Sequence, residues 1–382
     1  MVSIRRVAPL ALALALACNG DAAESTATAG AGAATTDGSS TATATTATTL
    51  DASSTAAAES TTTGADVLPG VDAEIPLFVG EHIYFGDENH RQADVQVSLP
   101  ADGAYAKITL DLALGCPDGL CDHWDRYGTI GVVQDPGTDH ERFIEVARFI
   151  TAYRLPAQWS LDVTDLRPLL AGDLTFRVFI DTWVGPGHPQ GNGWLVDARL
   201  VYEGGVPSPR PIAVLPLWYQ TFDAGDATKP VAEQVPVLEI AAPPEATSFR
   251  LRTHITGHGF GNTDNCAEFC PKTHGFMVGD DPYVTTIWRD DCFETAVPDQ
   301  LGTWTFPRAG WCPGADVIPW EVDLTPSLVP GLSTPITYAL ATYENTCRPG
   351  LDTCVGCNAG ATCDDGHSLP FYYLSSLVIA YE

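Results

Sequence analysis

From about residue 70 onward, apolar side chains return at every second position rather than every third or fourth. In 107–114 (KITLDLAL), Ile108, Leu110, Leu112 and Leu114 alternate with polar or small residues. A strand turns successive side chains to opposite faces, so this pattern describes a strand with one face buried. Similar runs occupy 143–150, 174–183, 194–202, 248–255, 334–341 and 372–381, separated by Gly, Pro and Asp. Helical periodicity sustained over three turns is absent. The chain is therefore expected to be all-β, of sandwich or jelly-roll type.

A faint repeat organises these runs. Residues 159–165 (WSLDVTD), followed by LLAG at 169–172, recur as 320–326 (WEVDLTP), followed by LVPG at 328–331. A run ending at Gly115 precedes the close pair Cys116/Cys121, and a run ending at Gly257 precedes the close pair Cys266/Cys270. Chance similarity between β-domains is the alternative. Read as a repeat, the pattern predicts two related sandwiches over 67–205 and 206–382, split near the Gly/Pro-rich 204–209 (GGVPSP). Each would carry a clipped loop at an equivalent place, and the two loops would face each other across the interface, where ligand sites concentrate.

The N-terminus has another texture. Arg5 and Arg6 precede an apolar run, 7–17, of the size of a signal-peptide core and too short to span a bilayer. It ends in Ala15-Leu16-Ala17-Cys18, which resembles a bacterial lipoprotein box. Residues 1–17 are read as a signal peptide and Cys18 as the lipidated N-terminus, the alternative being an ordinary secretory signal. Residues 18–66 are almost wholly Ala, Thr, Ser, Gly and Asp, with one Leu (Leu50) and no aromatic residue. Such a segment has nothing to bury and is expected to be a disordered tether. No second long apolar run follows, so the membrane is reached only through the anchor.

Export places the other ten cysteines in an oxidising compartment, where an even set reads as disulfides. Cys116/Cys121 and Cys266/Cys270 would clip tight loops and Cys292/Cys312 a longer one. Cys347, Cys354, Cys357 and Cys363 crowd one segment with their pairing open. Zinc is the rival for that group, from the Cys354-x-x-Cys357 spacing.

Lys+Arg is 19 against Asp+Glu 48, a formal net charge of −29, and the only lysines are Lys107, Lys229 and Lys272. No basic face for nucleic acid or anionic lipid can be built from that. No G-x-S-x-G elbow, H-E-x-x-H helix or Gly-rich phosphate loop occurs. His254, His258, His274 and Met277 lack the clustering a copper site wants. No metal and no cofactor are expected.

The remaining chemistry lies in carboxylates on rigid loops beside Arg and Trp. Asp125 follows the first close Cys pair in 116–127 (CPDGLCDHWDRY), next to Asp122, Trp124 and Arg126. An adjacent Arg favours the ionised acid, as a nucleophile or water-activating base requires. Glu268 sits inside the second pair, and Asp181 and Trp183 close an apolar run. Arg308 and Trp311 flank Cys312. Each has a structural alternative: an Asp–Arg turn, a solvent-facing Glu, a core Trp.

Taken together, 116–127, 148–153 (RFITAY), 162–170 (DVTDLRPLL), 181–183 (DTW), 266–274 (CAEFCPKTH), 308–314 (RAGWCPG) and the final strand resemble the peptide-N-glycosidase F family, in the family's order, over about 75–382. The resemblance implies two antiparallel eight-stranded jelly-roll domains packed side by side, with the site in the cleft between them. It implies hydrolysis of the amide joining N-acetylglucosamine to Asn. The glycan would leave as a glycosylamine and Asn would become Asp. By resemblance, Asp125 is the central catalytic group, supported by Glu268 and Asp181. Arg126, Trp183, Arg308, Asp122, His258 and Trp311 are substrate-binding. Cys116–Cys121, Cys266–Cys270 and Cys292–Cys312 match family disulfides. The implied partners are N-glycosylated proteins or glycopeptides, and a monomer is expected. The expected location is the cell envelope, as a lipoprotein, or secretion. A non-catalytic glycan-binding surface lipoprotein is the rival reading. Asp181 stands where the best-known member has Glu, one methylene longer. His258 and Phe260 stand where that member has Trp and His, and 347–363 is an insertion.

Overall fold

The computed structural model describes residues 67–259, 266–346 and 369–382. The proposed signal peptide, Cys18, the tether, Phe260 and the four-Cys segment lie outside the described residues. Seventeen strands dominate: β1 (Ala73–Phe85), β2 (Asn89–His90), β3 (Gln92–Leu99), β4 (Tyr105–Gly115), β5 (Tyr127–Gln134), β6 (Arg142–Ile150), β7 (Ala157–Asp162), β8 (Gly172–Ile180), β9 (Trp194–Gly204), β10 (Pro211–Asp223), β11 (Leu238–Ala241), β12 (Ser248–His258), β13 (Lys272–Val278), β14 (Asp281–Ile287), β15 (Trp320–Asp323), β16 (Ser333–Leu340) and β17 (Phe371–Tyr381). The α-helices among the described residues are single turns, Val231–Gln234 and Cys292–Thr295.

Four antiparallel sheets result, in the orders β2-β1-β9-β4-β7, β3-β8-β5-β6, β10-β17-β12-β15 and β11-β16-β13-β14. Leaving aside the two-residue β2, the first pair of sheets and the second have the same plan. β1, β9, β4 and β7 match β10, β17, β12 and β15; β3, β8, β5 and β6 match β11, β16, β13 and β14. The all-β, double-sandwich expectation therefore holds, with eight principal strands in each half.

The repeat is structural in detail. Asp162 Oδ1 accepts from the Thr164 amide and hydroxyl, and Thr164 Oγ1 accepts the Ile108 amide at the start of β4. Asp323 Oδ1 accepts from the Thr325 amide, and Thr325 Oγ1 accepts the Phe249 amide at the start of β12. The next residue in each copy, Val163 or Leu324, donates to the carbonyl of Ile108 or Phe249. Each Asp-x-Thr thus ties the end of an edge strand to its neighbour. The two Trp residues are half-buried ring partners of core phenylalanines, Trp159 to Phe149 and Trp320 to Phe276.

Alternation predicted faces well: Ile108, Leu110, Leu112 and Leu114 are all buried. It overran at 174–183, because β8 stops at Ile180. There the Asp181 amide still donates to the Tyr127 carbonyl, but Thr182 folds back to bond the Ile180 carbonyl in a three-residue turn. β1 and β10 have no clean alternation, since register shifts at Pro76/Phe78 and Pro216/Tyr219 break the period.

The halves have separate apolar cores that both draw on β17. Leu377, Ile379 and Tyr381 of β17 belong to the core of the first sandwich. The free edge of β6 is covered by the second half: the Ile150 amide bonds the Ala315 carbonyl, the Gly314 amide the Ile150 carbonyl, and the Val317 amide the Arg148 carbonyl. Pairing an edge in this way removes its exposed donors and acceptors and fixes the register between halves.

Candidate active site

The first clipped loop follows β4. The Cys116–Cys121 disulfide spans five positions and closes a turn in which Asp118 takes a left-handed φ of 51°. Asp122 comes next, fully buried, accepting from Arg126 Nε (2.7 Å), Thr182 Oγ1 (2.7 Å) and the Trp124 amide (3.1 Å). Arg126 is also held by backbone, its amide on Thr151 Oγ1 and its carbonyl on the Thr151 amide. Asp125 is fixed between these anchors. Its Oδ2 accepts from the Tyr153 hydroxyl at 2.7 Å, and its side chain is 15% exposed.

The second clipped loop follows β12 at the equivalent place. The Cys266–Cys270 disulfide presents Glu268, whose amide bonds the Gly259 carbonyl and whose carbonyl accepts the Ala309 amide. Gly257 is needed below it, since a Cβ there would lie 2.3 Å from the Ala267 carbonyl oxygen.

Arg308 joins the two loops. Its Nε is 3.3 Å from Glu268 Oε1 and its Nη2 is 3.8 Å from Asp125 Oδ2. Nη1 donates to the Thr303 and Phe306 carbonyls, and Nη2 to Thr303 Oγ1. The Cys292–Cys312 disulfide closes the segment that carries it. Burial raises Asp125, against the lowering pull of Arg308 and of the Tyr153 hydrogen bond. Burial likewise pushes Glu268 up, to about 7, with Arg308 opposing and Asp125 adding to the rise. Two carboxylates around one guanidinium cannot both ionise freely, so one tends to keep a proton near neutral pH.

The other candidate residues are placed as follows. Arg308 is fully buried, with its donors on Glu268 and the 303–306 loop. Trp311 is buried with its indole N–H on the Gly257 carbonyl. Asp122 is buried beneath the surface and accepts from Arg126 Nε. His258 has Trp311 stacked on it at 5.2 Å and Phe371 at 5.4 Å, leaving little ring face for a ligand. Burial, with Arg148 and Arg308 nearby, holds it neutral, its pKa near 3. Asp181 pairs with Arg91 at 2.9 Å, and Trp183 is 43% exposed beside it.

Sequence reasoning missed Tyr153, which ends the matching RFITAY segment, and Thr303 and Arg91, which no motif marks. It also missed a buried network between the halves. Glu145 binds Arg148 (3.0 Å) and His254 (2.8 Å), while Arg148 Nη1 donates to Thr256 Oγ1 and the Tyr373 carbonyl. Burial pushes Glu145 up, but Arg148 and His254 outweigh it and the carboxyl settles at about 2. The signal was an acid and a base inside an otherwise apolar strand.

Fold and site together define a double β-sandwich protein with a paired-carboxylate centre built from equivalent loops of its two halves. A family model described as Peptide-N-glycosidase F, C terminal, matches residues 227–349. The peptide-N(4)-(N-acetyl-beta-D-glucosaminyl)asparagine amidase F of Elizabethkingia miricola is 28% identical over 311 residues, 78% of this chain and 80% of that protein. The solved structure of PNGase F, a glycosylasparaginase from Flavobacterium meningosepticum, superposes with a TM-score of 0.68 at 25% identity, covering 82% of this chain and 96% of that one. PNGF-II superposes at 0.62 and 18% identity, over 81% of this chain and 66% of its own. In sequence and in fold this chain is similar to the peptide-N-glycosidase F family.

Proposed function

We propose that this chain is a peptide-N4-(N-acetyl-β-glucosaminyl)asparagine amidase, hydrolysing the sugar–Asn amide of N-glycoproteins or glycopeptides. The observation that carries the reading is the meeting of Asp125 and Glu268 on one buried Arg308. Water adds to the Asn side-chain carbonyl and the C–N bond breaks. The products are aspartate and a glycosylamine.

The residues divide the work by environment. Asp125, whose burial raises its pKa while Arg308 and the Tyr153 hydrogen bond favour the carboxylate, takes the proton of the attacking water. Glu268, whose pKa is pushed up to about 7, supplies the proton the leaving nitrogen needs. Arg126 lies at the surface end of the Asp122 anchor and is only half-buried, so its remaining donors serve the developing oxyanion. Asp181 and Trp183 lie on the rim for the sugar. No step needs a cofactor.

The domains of this enzyme are 67–205 and 206–382, and it acts as a monomer. Three disulfides support an exported location, reached through the signal peptide of residues 1–17 and held by lipid at Cys18. The deciding experiment incubates a denatured N-glycoprotein with the purified protein in ¹⁸O-labelled water. Faster gel migration and ¹⁸O-labelled Asp at the former glycosylation site are expected. Asp125→Asn should lower the rate by about 100-fold or more while leaving the fold intact. Retention of over about a tenth of the rate removes Asp125 from the central role.

A further inference from the structure

Arg91, Asp181 and Trp183 stand on the rim of the first sandwich, apart from the Asp125–Arg308–Glu268 centre. Arg91 lies between β2 and β3, and its carbonyl accepts the Ile180 amide, which places it against the end of β8. Its amide and Nε both donate to Asn89 Oδ1, at 3.3 and 3.0 Å. Its Nη1 donates to Asp181 Oδ1 at 2.9 Å. The guanidinium carbon lies 4.3 Å from the Trp183 ring centre and 5.1 Å from that of Phe85. Four contacts, to Asn89, Asp181, Trp183 and Phe85, thus hold one rotamer of a side chain that is 19% exposed.

Two polar atoms remain. Arg91 Nη2 and the second carboxylate oxygen of Asp181 have no hydrogen-bond partner among the described residues. The guanidinium that carries Nη2 lies over an indole that is itself exposed. Both charges reach Tyr373 of β17, whose hydroxyl burial and Asp181 push up and Arg148 and Arg91 pull down. Tyr373 stacks on Tyr127 at 4.0 Å, so the rim group borders the seam between the halves. A lone Asp at a loop end samples several rotamers. One locked by a planar, stacked guanidinium presents a fixed acceptor.

We propose that Arg91 is a positioning residue for sugar binding. It fixes Asp181 as the acceptor for a sugar hydroxyl or N-acetyl N–H. By lying on one face of Trp183, it leaves the sugar only the open side of the ring. This rests on the amidase reading.

The test uses Arg91→Ala, Arg91→Lys, Asp181→Ala and the Arg91→Ala/Asp181→Ala double variant. Each is assayed on a glycopeptide and titrated calorimetrically with free di-N-acetylchitobiose. Arg91→Ala should raise KM about tenfold with kcat within about threefold. Arg91→Lys should fall between, because an ammonium keeps the charge but neither forks nor stacks. The double variant should match Asp181→Ala within about twofold, since both remove one function. Wild-type KM and disaccharide affinity in Arg91→Ala, or losses that multiply in the double variant, overturn the proposal. If the wild-type protein cleaves no glycopeptide, the amidase reading fails on its own. The titration still decides Arg91: weaker disaccharide binding in Arg91→Ala supports it, and unchanged binding overturns it.

Discussion

The Tyr153 hydroxyl lies 2.7 Å from Oδ2 of Asp125, a bond from the end of the β6 segment to the loop after β4. Burial holds the Tyr153 phenol far above its ordinary range, so it is a donor at every working pH. A hydrogen bond to an ionised group contributes about 1.5–3 kcal/mol. Tyr153→Phe should therefore lower kcat/KM by roughly ten- to a hundredfold and move the acidic limb of the pH profile upward, because the carboxylate loses a stabilising donor. An unshifted acidic limb in steady-state kinetics would break the link between this bond and Asp125.

Glu268 sets the other limb. With its carboxyl pushed up to about 7, the protonated form is present below that pH and lost above it, so kcat should decline as pH rises through neutrality. Glu268→Gln keeps the shape but has no transferable proton. It should reduce kcat by about 100-fold and leave a residual rate without the basic limb. Persistence of that limb in the variant assigns the proton to another group.

Acid should unfold the protein through its buried histidines. His258 and His274 are held near 3, against 6.5 unperturbed, mainly by burial. A depressed pKa means the fold prefers the neutral ring, so this stability is full above pH 6.5 and lost as pH falls toward 3. Glu145, lowered to about 2 from 4.5, adds a loss at still lower pH. Glu268 works the other way, contributing below pH 4.5 and losing that contribution as pH rises to about 7. Asp125, also raised by burial, acts in the same direction as Glu268, and the two are outweighed by the depressed groups, so Tm should drop steadily below pH 6.5. A flat calorimetric Tm down to pH 3 contradicts this.

The repeated Asp-x-Thr tie predicts matched costs in the two halves. Thr164→Val leaves the Ile108 amide without its acceptor, and Thr325→Val does the same to the Phe249 amide. Each should cost about 1–3 kcal/mol in denaturant unfolding. A loss in one half with none in the other would show that the copies have diverged in load.

The Cys292–Cys312 bridge closes a loop of 20 positions that carries Thr303 and Arg308. The chain-entropy model gives about 3 kcal/mol for a loop of that length. Cys292→Ser/Cys312→Ser should lower Tm accordingly. It should also reduce kcat more than the single-turn bridges do, since Arg308 loses its frame.

Much of the architecture was readable without coordinates. Period-two alternation reports which face of a strand is buried, and it placed β4, β6, β9, β12, β16 and β17 closely. It faded in β1 and β10, where prolines and bulges shift the register and the faces exchange. The repeated WxxDxT and the two short Cys loops already implied equivalent loops in two halves. The resemblance to the peptide-N-glycosidase F family then placed Asp125 and Glu268 in one site.

By itself, then, the sequence determined the fold class, the repeat and the loops that carry the acids, because these follow from local patterns of burial and covalent closure. Only the tertiary structure decided what each charged side chain does. Asp122 shares a motif with Asp125, and Arg308 and Trp311 share another around Cys312, yet all three lie beneath the surface. Arg91, with no motif around it, reaches Asp181. Periodicity specifies the face a side chain occupies. Which partner it meets there depends on how the β6 edge docks on residues 314–317 and how β17 completes both cores, and that is settled by long-range packing.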